Sequence, residues 1–317
     1  MSAPIIRTTG LTKRFGDFTA VDDLTIAVEP GTIFAFLGGN GSGKSTTIRM
    51  LIGLLRPTAG SIEVDGIDVI ARPRRVRDHI GYMGQKVSLY QGLSLRENME
   101  FYAGLFGLEG AALERRWDAL RERFVLADAE SERPENLPAA IRQRAGLALS
   151  MLHSPRVLFL DEPTAGVDVR NRGRFWEAIQ DEAASGVTVF VTTHFLEEVD
   201  YCDWVSLIDA GRLIANASPH DLRARFADAF RIDVTAAPAL RTQVMERLGQ
   251  LCPGAIATAD GVTLAIPAME PAALDRLAGI ARDVPGAAVR ITEAPMTEVF
   301  RRLLATVEHP ARAGAAS

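Results

Sequence analysis

Gly38-Gly39-Asn40-Gly41-Ser42-Gly43-Lys44-Ser45 fits the pattern G-x-x-x-x-G-K-[ST] at every fixed position. Glycines at this spacing let backbone N–H groups close around an anion, and the N-terminus of a following helix adds positive potential. Lys44 would reach the β- and γ-phosphates of a nucleotide, and Ser45 would ligate Mg²⁺; Thr46 belongs to the same stretch. A second cluster, Asp161-Glu162, closes the apolar run Val157–Leu160. Beside a phosphate loop, an Asp in this place helps hold Mg²⁺. The adjacent Glu can polarise a water for attack on the γ-phosphate. Two acids at a strand end can also be a solvated loop, and the phosphate loop is what favours chemistry here. His194 follows the run Val187–Thr192 and would end a strand facing the same phosphates, although a lone histidine is often structural.

These residues need elements to hold them. Thr32–Leu37 is apolar after its first residue, as expected of a strand buried on both faces. It enters the loop, and a helix follows with Ile48, Leu51, Ile52 and Leu55 on one face. Leu24–Val28, Ser61–Asp65, Val157–Leu160 and Val187–Thr192 also read as strands, and Trp204–Asp209 with Leu213–Asn216 as a hairpin about Ala210-Gly211. Between about Gln85 and Pro155 the texture is helical. Ser94 and Glu97 predict a capping box, with further helices over Ala111–Phe124 and 139–153. Helix 169–184 ends before Gly186, and Ser218-Pro219 starts a short helix. Strands alternating with helices imply a parallel α/β core carrying an all-helical insertion. After residue 227 the spacing predicts strands over 230–235, 262–266 and 287–292 and helices over 239–250, 271–282 and 296–306, a small α/β sandwich, with a loose tail beyond His309.

The chain has 317 residues, enough for one large domain and a smaller one. Its formal net charge is -5, which argues against nucleic acid as a partner. Cys202 and Cys252 have neither metal spacing nor a disulfide framework and read as reduced, buried thiols of a cytosolic protein. Met1–Gly10 lacks the apolar core of a secretion signal. No apolar run approaches the roughly 18 residues needed to span a membrane.

In its ordered motifs, residues 5–225 resemble the nucleotide-binding domain of ABC transporters. Gly38–Ser45 matches the Walker A loop, and Gln85, in Gly81-Tyr82-Met83-Gly84-Gln85, the Q-loop. Leu158–Glu162 matches Walker B with its glutamate, Ala165-Gly166-Val167-Asp168 the D-loop, and His194 the H-loop. The resemblance implies a P-loop NTPase core with an antiparallel β subdomain, over residues 1–226, with the helical subdomain at about 86–155. A regulatory or dimerisation domain is expected over 227–306 and a flexible tail over 307–317. It implies Glu162 as general base, His194 on the γ-phosphate, and Gln85 on Mg²⁺ and the attacking water. Asp168 would cross a dimer interface. Phe15 sits where an aromatic stacks on adenine, with a core aromatic as the alternative. The implied cofactors are ATP and Mg²⁺. The implied partners are polytopic membrane permease subunits and a second ATP-binding chain, at the cytoplasmic face of the membrane. Tyr82–Tyr90, Leu95-Arg96-Glu97-Asn98 and Pro295–Phe300 further resemble the drug- and polymer-exporting branch.

One motif departs from the pattern. Where the family has L-S-G-G-Q, this chain has Leu137-Pro138-Ala139-Ala140-Ile141. Pro138 has neither a hydroxyl nor a backbone N–H, and Ala139 and Ala140 add β-carbons where backbone must approach a phosphate. The hydrolytic side of the site is kept, and the side donated to a partner is degraded. The second chain is therefore either another copy or a distinct chain with an intact signature.

Overall fold

In the computed structural model, residues 3–226, 230–249, 256–258, 260–266 and 271–308 are described. The chain divides into two compact units, Met1–Asn216 and Ala217–Ser317. Along the first run β1 (Ile6–Phe15), β2 (Phe18–Val28), β3 (Ile33–Leu37), α1 (Lys44–Leu51), β4 (Ala59–Val64), β5 (Ile67–Asp68), α2 (Pro73–Arg77) and β6 (Ile80–Met83). Then come α3 (Leu95–Leu105), α4 (Gly110–Arg123), α5 (Ala139–Ser150), β7 (Val157–Asp161), α6 (Val169–Ala184), β8 (Thr188–Thr193), β9 (Trp204–Asp209) and β10 (Arg212–Ala217).

The central sheet has the order β10-β9-β3-β8-β7-β6, with β9, β3, β8, β7 and β6 mutually parallel. Strands β3 and β7 are buried throughout their length and apolar but for Asp161 at the end of β7, as a sheet covered on both faces requires. Phe190 of β8 anchors the core, with Phe34, Phe36 and Phe159 ring centroids 5.3 to 5.5 Å from its own. A second sheet, β2-β1-β4-β5, is antiparallel and forms the expected β subdomain. Its strand β1 was not legible in the sequence, and β2 extends the expected strand at Leu24–Val28 back to Phe18. Thr8 of β1 is buried because its hydroxyl donates to Leu24 O (2.9 Å) and accepts from Ile26 N (3.1 Å).

The helical insertion is α3–α5. The capping box forms as the sequence predicts: Glu97 N donates to Ser94 Oγ at 3.2 Å, and Ser94 N to Glu97 Oε2 at 2.7 Å. Trp117, fully buried on α4, donates its indole N–H to Glu130 at 2.8 Å. Burial of Glu130 works against its charge, but hydrogen bonds from Arg121, Trp117 and Arg96 outweigh it and hold the carboxyl below the usual range. Glu130→Ala leaves the buried indole N–H without its acceptor. It is expected to cost about 2 kcal/mol, read by urea unfolding at neutral pH. Because the folded carboxyl is depressed, this contribution is present above its unfolded range and fades as acid protonates the folded group.

The second unit holds α7 (Pro219–Phe226), β11 (Phe230–Thr235), α8 (Arg241–Gly249), β12 (Ile256–Ala257), β13 (Gly261–Ile266), α9 (Pro271–Asp283), β14 (Ala288–Glu293) and α10 (Met296–Glu308). Its sheet order is β12-β13-β11-β14. Ile232, Val234, Val262 and Leu264 form a core with Val244 and Leu248 of α8 and Leu277 and Ile280 of α9. The division between units falls after Asn216, before the boundary at 226 expected from sequence. The reason is that α7 packs on α10, and its Arg223 donates to Ala294 O at 3.0 Å. Cys202 is buried and unpaired, its thiol pushed up well above the ordinary range by burial and then by Glu198, Asp203 and Asp200. Cys252, the expected start of the smaller unit at 227 and residues 309–317 of the tail expected over 307–317 lie outside the described residues, while α10 continues to Glu308.

Candidate functional site

Because β3, β8, β7 and β6 are parallel neighbours, their C-terminal ends share one edge. Open parallel sheets bind ligands at that edge. It presents Gly38 after β3, Asp161 and Glu162 at the end of β7, His194 after β8 and Gln85 shortly after β6.

The loop after β3 is shaped by close approach. A Cβ on Gly38 would meet Ile208 O at 2.4 Å, and one on Gly43 would meet Ala20 O at 2.5 Å. Gly43 also sits at φ 108°, a backbone state that glycine tolerates and other residues do not. Helix α1 then begins with no side-chain cap, which leaves its first N–H groups open. They face a cleft of about 330 Å³ lined by Asn40, Gly41, Gly43, Lys44, Ser45 and Thr46 from the loop and by Gln85 and Glu162 opposite. The Ser42 hydroxyl beneath the loop is buried without a hydrogen-bond partner. Lys44 folds back over the loop, donating to Gly38 O (2.8 Å) and Gly39 O (3.0 Å).

The two acids take different partners. Asp161 Oδ1 accepts from Thr192 Oγ1 at 2.7 Å and from Ser45 Oγ at 3.2 Å. Glu162 leaves the strand at φ 49° and donates its N–H to Thr192 O and Oγ1. Its carboxylate is nearly buried, with Lys44 Nζ 3.3 Å from Oε1. Gln85 Nε2 donates to Oε2 at 3.0 Å, and His194 Nδ1 lies 3.3 Å from the same oxygen. So the structure brings Lys44, Gln85, Glu162 and His194 into one contact network, joined to Ser45 and Asp161 through the strand end. Sequence reasoning missed Thr192, which orients both acids; it was read only as a β-branched strand residue.

Nucleotide and Mg²⁺ fit these groups. The open N–H groups, the lysine and the glycine cradle suit phosphate. Ser45 Oγ and the Asp161 carboxylate are 3.2 Å apart and are hard oxygen donors of the kind Mg²⁺ takes beside phosphate oxygens. Among the described residues no cluster of three or more His, Cys, Asp or Glu could hold a metal without such help.

Other expected site residues lie elsewhere. Phe15 is half exposed beneath the Lys13 ammonium (5.0 Å) and does not line the cleft. Its partner across the hairpin, Phe18, does line it. Asp168 caps α6, accepting from Asn171 N (3.1 Å) and Nδ2 (2.7 Å). Pro138, Ala139 and Ala140 open α5 without a side-chain N-cap, and Arg142 donates to Leu137 O. Ala140 lies beside Val167 and Asn171 around a small pocket, so the degraded motif adjoins the Asp168 loop rather than the cleft.

A glycine loop and an Asp-Glu pair at the edge of a parallel sheet define a nucleotide-binding P-loop core. A family model described as "ABC transporter" matches residues 21–165. The chain is 42% identical over 235 residues to the daunorubicin resistance ATP-binding protein DrrA3 of Streptomyces coeruleorubidus, covering 74% of each. It is 45% identical over 231 residues to the probable multidrug ABC transporter ATP-binding protein YbhF of Escherichia coli (strain K12). That match covers 73% of this chain and spans 40% of the length of YbhF. A solved ATP-binding subunit of an ABC transporter is 29% identical, with a TM-score of 0.64 over 70% of this chain and 93% of its own. The chain belongs to the ATP-binding proteins of the ABC transporter family, and its first unit has the ABC ATPase fold.

Proposed function

We propose that this chain hydrolyses Mg²⁺-ATP to drive export through separate polytopic membrane subunits. The observation that carries the reading is the Glu162 carboxylate, held at the mouth of the phosphate loop by Lys44, Gln85 and His194. On nucleotide entry Lys44 exchanges this carboxylate for the β- and γ-phosphates, and the first N–H groups of α1 hold the remaining oxygens. Ser45 and Asp161 would hold Mg²⁺, with Gln85 beside them, and the ion would supply positive charge to offset that of the phosphates. Glu162, released from Lys44, orients a water in line with the γ-phosphate and takes its proton. His194 steadies the γ-phosphate. Phe15 contributes to adenine binding from the β1–β2 hairpin, beside Phe18.

Among the described residues no helix is long and apolar enough to cross a membrane. The membrane partner is supported by an apolar groove of about 320 Å³, lined by Tyr82, Met83, Val87, Phe106, Leu149 and His153, which opens where β6 leads to Gln85. A membrane subunit seated there would touch Gly84 and Val87, on either side of Gln85 in the chain. In this reading the chain works peripherally, at the cytoplasmic face. The second unit serves dimerisation or regulation.

The working assembly includes a second ATP-binding chain across Asp168, and the Pro138–Ala140 segment favours a distinct chain with an intact signature. Restoring the motif with Pro138→Ser, Ala139→Gly and Ala140→Gly is expected to raise the steady-state ATPase rate of this chain alone by about tenfold. Equal rates before and after restoration, both abolished by Glu162→Gln, would refute the need for a distinct partner. Extraction from membranes in mild detergent is expected to retain a polytopic protein.

A further inference from the structure

Glu198 is fully buried and has no part in the chemistry above. It lies in the 3₁₀ turn Leu196–Tyr201 that follows β8. A carboxylate in that position must be hydrogen-bonded or paired, and its partners are informative. Oε1 accepts from Thr164 Oγ1 and lies 3.7 Å from Arg172 Nε. Oε2 accepts from Thr193 Oγ1 at 2.6 Å.

The two oxygens therefore face two different segments. Thr164 follows Glu162 on the way to Asp168, and Arg172 stands in the first turn of α6, the helix Asp168 caps. Thr193 immediately precedes His194, and its hydroxyl also accepts from Phe195 N at 3.0 Å. A second link runs beside the first. The Arg172 guanidinium lies over the Phe195 ring at 4.1 Å, and the Phe195 ring centroid is 4.1 Å from that of His194.

A buried carboxylate that merely satisfied nearby donors would affect folding and nothing else. This one joins the residue before His194 to the loop between Glu162 and Asp168. We propose that Glu198 is a positioning residue. It fixes His194 through Thr193 and ties it through Thr164 and Arg172 to the Asp168 loop. Seating of a second ATP-binding chain against Asp168 is thereby felt at His194 within this chain. The inference rests on the hydrolytic reading given above.

Arg172→Met tests it with little risk to folding, because Arg172 lies at the edge of the network and methionine keeps its reach. Glu198→Gln is the second variant. In the full chain with its partners, Arg172→Met is expected to lower kcat by about tenfold and leave the KM for ATP within about twofold. In a His194→Ala background, followed by single-turnover hydrolysis, the further loss is expected to be under about twofold. Thermal stability effects of the same pair are expected to add. Losses in kcat that simply multiply in the double variant, or a change confined to KM, would overturn the proposal. The imidazole NMR signals of His194 separate this failure from failure of the hydrolytic reading. They are expected to shift in both Arg172→Met and Glu198→Gln. Signals that stay in place overturn the coupling whether or not the chain hydrolyses ATP. Shifted signals in a chain whose wild type shows no Glu162-dependent turnover overturn the hydrolytic reading alone.

Discussion

Glu162→Gln is expected to lower ATP turnover by about 10²- to 10⁴-fold while nucleotide binding persists. An amide keeps the shape of the side chain but accepts no proton from the attacking water. It also removes the charge that faces Lys44 at 3.3 Å, so the lysine no longer has to leave an ion pair to reach phosphate. Nucleotide affinity is therefore expected to stay level or rise. Phosphate release and a fluorescent-nucleotide titration on the same preparation check both halves. Turnover near the wild-type rate would mean that another group takes the proton, and affinity falling in step with turnover would mean that Glu162 is needed for binding.

Lys44→Met is expected to weaken ATP binding by about 100-fold, the equivalent of one charge-assisted contact to phosphate. The same change leaves the buried Glu162 carboxylate without its ammonium. Gln85 and His194 remain beside it, so the nucleotide-free chain is expected to lose about 2 kcal/mol rather than the full cost of an unpaired buried charge. The double variant with Glu162→Gln separates the two effects. Stability should return, because the orphaned charge is gone, while affinity should remain low. Thermal unfolding with and without ATP reads both quantities. A Lys44→Met chain that binds ATP normally would remove the lysine from the phosphate site.

Much of this arrangement was legible in the sequence because its physical demands are local. A loop that wraps an anion needs glycines at fixed intervals, and a strand covered on both faces needs an unbroken apolar run. Gly38–Ser45 and Val157–Leu160 meet those demands. Strand β1 does not. Its buried Thr8 looks polar, and the register shifts between Thr8 and Leu11, where Gly10 takes a positive φ, so the alternation is broken. Strand β6 has four residues and contains Gly81, where a Cβ would meet Ser150 O at 2.3 Å. The glycine admits the end of α5, a fact about a distant segment that no local pattern carries. Glu198 hides in another way. It stands among Glu197, Val199 and Asp200, and such a run reads as a solvated face until the fold buries one member. Phe15 stands out in the sequence only through a resemblance, whereas the hairpin register brings Phe18 to the cleft wall.

The Glu162 carboxylate offers two oxygens to three claimants. Lys44 holds one oxygen to itself, while Gln85 and His194 share the other. Each claimant follows a different strand, β3, β6 or β8, and faces a different source of news. Lys44 faces the fuel, Gln85 the side of the apolar groove, and His194 the region of the Asp168 loop. A carboxylate oxygen has room for two donors, so Gln85 and His194 hold Oε2 together. The carboxylate thus gathers three inputs on one group, and in the proposed reaction the departure of Lys44 frees Oε1 for water.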